Sequence, residues 1–179
     1  MTHAADPPRL VPPGARPGFL GPLAVPGDLW WVADDPPLAG MAYPRVAPWD
    51  ALAATGFTHV VSLTEEAPRY DPAPLASYAI ALQDLFARRV PDLPERDIER
   101  AHAAARFVVE RHRAGDGVVV HCHGGRGRTG MVLGCALVML GHDPDATVDW
   151  LHRTQRTRGR RGWPEQAWQA DVVRACPRA

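Results

Sequence analysis

Val118-Val119-Val120-His121-Cys122-His123-Gly124-Gly125-Arg126-Gly127-Arg128-Thr129-Gly130 passes from three consecutive apolar β-branched residues, through a glycine-rich turn, into the apolar stretch Met131 to Leu140. Three valines in a row read as a short strand apolar on both faces, the pattern of the centre of a parallel sheet. The apolar stretch reads as a helix over residues 129–140, ended by Gly141. Strand, loop and helix in this order put the loop beyond the carboxyl end of a parallel strand, where open α/β sheets bind ligands.

The residue types in the loop suit an anion. Gly124, Gly125 and Gly127 let the backbone curl so that successive N–H groups converge. The helix that follows adds the partial positive charge of its N-terminus. Arg128 brings a planar guanidinium that can hold two oxygens of one phosphate. His123 and Arg126 are the other polar side chains of the loop, which makes residues 123–128 the candidate phosphate-binding segment. A cysteine in such surroundings, here Cys122, is the kind that serves as a nucleophile. Thr129 can cap the helix and can also donate its hydroxyl to the cysteine sulfur. His121 reads as an orienting, hydrogen-bonded core residue.

Working outward, Leu29–Val32 and Leu38–Ala42 flank the turn Asp34-Asp35-Pro36-Pro37 and predict a hairpin. Trp49–Thr55 predicts a short helix, His59–Leu63 a buried strand, and Tyr78–Leu82 a second strand ending at Gln83-Asp84. Between Glu95 and Arg113, residues Ile98, Ala101, Ala105, Val108, Val109 and His112 recur at spacings of three and four, one face of a long helix. Asp143-Pro144 predicts an N-cap with proline at the first helical position, opening a helix to about Arg156. An arginine-rich connector over residues 157–162 precedes a last helix from Pro164 to Ala175. Strands alternating with helices predict an α/β three-layer sandwich, with a mainly parallel central sheet of four to five strands and helices on both faces.

The chain has 179 residues, 46% of them hydrophobic, and its formal net charge is zero. That length fits one domain, assigned here to residues 27–179, after a proline-rich leader over residues 1–26 that is expected to be flexible. Phe19, Leu20 and Leu23 are the leader residues able to dock on the domain. Zero net charge gives no general footprint for nucleic acid or membrane. The basic residues are arginines throughout, with no lysine. Cys122, Cys135 and Cys176 do not make a disulfide framework, and no pair of them has metal-ligand spacing. No signal peptide and no membrane-spanning stretch is visible. The expectation is a soluble cytoplasmic monomer.

The segment HCHGGRGRTG, residues 121–130, resembles the active-site loop of the protein tyrosine and dual-specificity phosphatase superfamily. The runs VADDPPLAGMAYP and GFTHVVSLTEE before it, and GHDPDATVDWLHRTQR after it, resemble the compact dual-specificity subgroup over roughly residues 28–175. The resemblance implies that Cys122 attacks phosphorus to form a phosphocysteine while an aspartic acid protonates the leaving oxygen. The same aspartate then activates water. It implies neither cofactor nor metal. The acid of this family lies on a mobile loop after a strand, about thirty residues before the cysteine. Asp84 follows the strand YAIALQ and is preferred, although the loop LFARRVP is then slightly long; Asp92 has the more usual separation but follows a proline. A glutamine near the C-terminus often positions the hydrolytic water, and Gln166 matches best, with Gln169 the other choice. Cys135 reads as a core residue or a partner for a backup disulfide to Cys122, and Cys176 as incidental.

The implied substrate is a phosphorylated protein, phosphotyrosine or mixed, with a phosphoinositide or other small phosphate ester as the alternative that Arg126 leaves open. Low-molecular-weight tyrosine phosphatases and arsenate reductases place such a loop near the N-terminus. A sulfurtransferase would not need Asp84. An inactive phosphopeptide-binding module would be expected to lack Cys122 or Arg128.

Overall fold

The described residues of the computed structural model are 6–16 and 29–178. They form β1 (Trp30–Asp34), β2 (Pro37–Met41), α1 (Trp49–Ala54), β3 (Phe57–Ser62), β4 (Ala76–Ala79), α2 (Pro94–Arg113), β5 (Gly117–His121), α3 (Gly127–Met139), α4 (Pro144–Thr157) and α5 (Ala167–Arg174). The five strands make one sheet in the order β1-β2-β5-β3-β4. Only β1 and β2 pair antiparallel; β2 with β5, β5 with β3 and β3 with β4 are parallel. This is the mainly parallel sandwich that the alternation of strands and helices predicts.

The strand of three valines is central, with β2 on one side and β3 on the other. Alternation along β5 splits it between the two faces of the sheet. Val118 and Val120 join Val61, Leu38 and the buried residues of α2, α3, α4 and α5 in the larger core. Val119 faces the smaller core with Val60, Trp31, Phe57 and α1's Trp49 and Leu52. Every residue of α3 is buried, so this helix lies under the others as the hub of the larger layer.

Several boundaries differ from the sequence reading, each for a local reason. β4 ends at Ala79 instead of running to Leu82, but Ile80 and Leu82 still donate to Ser62 and Leu63. The chain therefore follows β3 to its end while leaving regular pairing. α3 begins at Gly127, inside the loop, with Arg126 as an N-cap whose side chain makes no capping bond. α5 starts at Ala167, not Pro164, because Gln166 is extended. Asp143 caps α4 as predicted, its carboxylate accepting from Ala146 N at 3.0 Å.

Residues 6–16 of the expected leader lie against the sheet and α4. Leu10 bridges to Ala33, Val11 N donates to Val32 O at 2.9 Å, and Trp150 Nε1 donates to Val11 O at 3.2 Å. Val11 is buried, and Pro8 O lies 3.0 Å from His142 Nε2. This part of the leader is thus not free of the domain, contrary to the expected flexibility. Phe19, Leu20 and Leu23 fall outside the described residues.

Candidate active site

Cys122 is the first residue after β5, and its side chain is buried. The loop that follows is shaped by what its glycines approach. Gly125 has φ +62°, and a Cβ there would collide with the backbone of Met41 and Ala42 at the end of β2. No L side chain fits that position. The Trp30 indole donates to Gly125 O at 2.9 Å, and the Trp163 indole donates to Gly127 O at 3.2 Å. Two loop carbonyls are thereby turned outward, and the first amides of α3, uncapped by any side chain, are left for an anion.

Arg128 is 5% exposed and its fork is fixed at the carboxyl ends of the strands. Nη1 donates to Leu82 O at 3.0 Å and to Leu63 O at 3.4 Å, while Nη2 pairs with Asp84. Asp84 in turn is held by its loop: its N–H donates to Glu65 at 3.0 Å, and its Oδ1 accepts from Phe86 N at 3.2 Å. The structure therefore brings Asp84 to the guanidinium at the loop. Asp92 is engaged elsewhere, accepting from Gln83 Nε2 at 2.7 Å and pairing with Arg88.

His121 is fully buried and supports the base of the loop. Its Nδ1 faces Cys122 O at 3.4 Å and its Nε2 lies 2.5 Å from the Tyr70 hydroxyl. That arrangement makes Nδ1 the protonated nitrogen and Nε2 the acceptor. Burial, with the nearby His123 and Arg128 charges, pushes the His121 pKa down to about 4, against a smaller opposite effect of the Cys122 carbonyl. Burial pushes the Tyr70 hydroxyl up, so both groups are neutral. Thr129 is completely buried, and its Oγ1 has no hydrogen-bond partner among the described residues.

The remaining residues singled out in the sequence separate in space. Arg126 forms an ion pair with Glu165, in the turn before α5, its Nε 3.1 Å from the carboxylate. His123 is exposed, and its ring lies 5.9 Å from that of Tyr43. Gln166 caps α5, whereas the buried Gln169 reaches the loop: its Oε1 accepts from Glu165 N (3.0 Å) and Gln166 N (3.2 Å), and its Nε2 lies 2.7 Å from where a Gly127 Cβ would be. Cys135 lies eight residues along α3 from Gly127, about 12 Å at 1.5 Å per residue, and its neighbour is Cys176. All three cysteines are free thiols.

Sequence reasoning missed Tyr43 and Tyr70. The backbone N–H of Tyr43 donates to His123 O at 3.0 Å, and Tyr43 lines a cavity of about 240 Å³ with Pro44, Arg45, Pro48, His123, Gly124 and Arg160. The cavity therefore opens beside the loop with an aromatic and basic wall.

A family model described as the DSP-PTPase phosphatase domain of Swiss Army Knife proteins, PTP-SAK, matches residues 29–168. Among solved structures, Tk-PTP in its active form superposes with a TM-score of 0.53 at 25% identity, covering 76% of this chain and 88% of that one. P. aeruginosa TpbA, solved in complex with pTyr, gives 0.59 at 19% identity over 86% and 93%. PTPMT1 in complex with PI(5)P gives 0.59 at 16% identity over 81% and 92%. The last two show a common fold. Matched over most of its length by a single family model, the chain belongs to the DSP-PTPase phosphatases and is a protein-tyrosine-phosphatase-like phosphoric monoester hydrolase.

Proposed function

We propose that the chain hydrolyses phosphotyrosine and related phosphoprotein monoesters through a phosphocysteine intermediate on Cys122. The pairing of Asp84 with Arg128 carries this reading, because of the two carboxylates on that loop, Asp84 and Asp92, it is Asp84 that meets the guanidinium. A phosphate dianion seated on the α3 amides competes for the guanidinium. When it takes the fork, Asp84 loses its partner and stands next to the ester oxygen.

In the first step the Cys122 thiolate attacks phosphorus, the P–O bond to the leaving group breaks, and Asp84 as the acid donates its proton to that oxygen. In the second, a water placed by Gln169 attacks the phosphocysteine. Asp84 takes its proton, and the P–S electron pair returns to sulfur, with the Thr129 hydroxyl donating to the departing thiolate. Electrostatic stabilisation comes from Arg128 and the loop amides. His123, Gly124, Gly125, Gly127 and Arg128 shape the anion cradle.

The substrate class is read from the rim. Tyr43, Pro44, Pro48 and His123 offer a shallow wall for an aromatic ester, with Arg45 for flanking acidic residues. The phosphoinositide alternative leaned on Arg126, which Glu165 engages. Fold neighbours solved with pTyr and with PI(5)P make both worth assaying.

The test measures phosphate release from p-nitrophenyl phosphate, phosphotyrosine and phosphoserine peptides and soluble phosphoinositides, using the native chain and Cys122→Ser, Asp84→Asn and Asp92→Asn. Release is expected from phosphotyrosine esters above all, absent in Cys122→Ser. In Asp84→Asn it should be lowered by roughly 10²–10⁴-fold, the usual contribution of a positioned acid. No release from any ester by a folded native chain refutes the proposal. A larger loss in Asp92→Asn than in Asp84→Asn moves the acid.

A further inference from the structure

We propose that His102, Cys135 and Cys176 form a binding site for a thiophilic divalent cation of the Zn²⁺ kind, separate from the catalytic loop. One ligand atom from each residue lies within 4.8 Å of the other two. The three come from different parts of the chain: α2, α3 and the residue following the Ala175 cap of α5. The sequence hides this cluster, since its members are 33 and 41 residues apart.

Four observations point to a cation. Both cysteines are buried free thiols, Cys135 completely. His102 Nε2 is enclosed and has no hydrogen-bond partner among the described residues; a buried nitrogen without a partner is unfavourable unless something fills its lone pair or takes its proton. Cys176 Sγ donates only weakly to Cys135 O, at 3.7 Å, and the two thiols also hydrogen-bond to each other, so both sulfurs already face one point in the cluster. Finally, Zn–S bonds of about 2.3 Å and Zn–N bonds of about 2.0 Å place tetrahedral ligands roughly 3.5 Å apart, so closing the cluster on a cation takes rotamer adjustments of about 1 Å.

Charge decides between soft cations. Two thiolates, a neutral imidazole and a dication sum to zero, which a helix interior accepts at small desolvation cost. A monovalent soft cation would leave a net negative charge. On binding, the two thiol protons pass to solvent and two metal–sulfur bonds form without oxidation. Three protein ligands leave the fourth tetrahedral position to a water molecule. Filling the site ties the end of α5 to α2 and α3.

The experiment uses the full chain as Cys122→Ser, so that the loop thiol takes no part, under a phosphine reductant. Cobalt(II) alone is the optical probe. One equivalent is expected to produce a thiolate-to-cobalt charge-transfer band that Zn²⁺ displaces. Zn²⁺ at a hundredfold excess over its Kd should raise Tm by roughly 5–10 °C. Cys176→Ser should abolish the band; His102→Ala, at a half-buried position, should weaken binding at least tenfold while circular dichroism stays native. The proposal is overturned if no band forms, if the band survives Cys176→Ser, if only Cu⁺ binds, or if the pair does nothing but oxidise to a disulfide with loss of two hydrogens.

Discussion

Arg128 and His121 meet opposite demands within a few residues of Cys122. Arg128 keeps its charge in a buried place because two carbonyls and a carboxylate surround its fork. His121 gives its charge up, because burial among neighbouring positive groups disfavours the imidazolium. The second choice has a pH consequence. The folded pKa near 4 lies below the ordinary 6.5, so in that window the unfolded chain binds a proton that the folded one does not. Stability therefore falls as pH drops through 6.5, and the loss levels off below 4. Between pH 7.5 and 5 the expected loss from this residue is about 2 kcal/mol, from about 1.4 kcal/mol per pKa unit. Urea midpoints for His121→Asn should change less over that interval than those of the native chain. His112 and His142, also pushed down by burial, contribute in the same direction in both proteins. Equal slopes would show that His121 is not the group responsible. Cys122, Arg128 and the loop glycines were legible in the sequence because they are contiguous. Tyr70 was not, because the hydroxyl that fixes His121 arrives from 51 residues away.

Where α3 meets α5, the loop depends on an element that the sequence placed three residues too early. The Pro164–Gln166 turn sets Glu165 and Gln169 against Gly127, where a Cβ would strike both side chains. Gly127→Ala should turn the ends of the flexible Glu165 and Gln169 side chains aside, at little cost in stability because no backbone stands in the way. It should lower kcat roughly 10- to 100-fold through displaced catalytic groups. A crystal structure or steady-state kinetics showing an unmoved Gln169 and unchanged kcat would contradict this. The choice between Gln166 and Gln169 could not be read from the chain. Both lie on the same short segment, and only the extended Gln166 backbone sends one to the cap and the other to the loop. The long α2 was easy, since its buried Ala101, Ala105, Val108 and Val109 repeat every three or four residues. β4 was harder, because its continuation to Leu82 is held by single bonds to the end of β3 instead of a ladder.

For the molecule as a whole, residues 6–16 join β1 to α4 from outside. Deleting them removes the buried Val11 and takes the acceptor from the Trp150 indole. The expected cost is about 3–5 kcal/mol, adding burial of one aliphatic side chain to an orphaned buried donor. Tm should fall by roughly 10 °C, measured by calorimetry; an unchanged Tm would mean that the strap is ornamental. Two further indole N–H groups grip the loop after β5 on either side of Arg126, Trp30 at Gly125 and Trp163 at Gly127. The protein thus carries its own fluorophores wired to the bonds that define the loop. Orthovanadate, which imitates the pentacoordinate phosphorus, should shift the intrinsic emission in a saturable way, and Trp163→Phe should remove much of that signal. Ligand occupancy would then be visible as light, with no label attached.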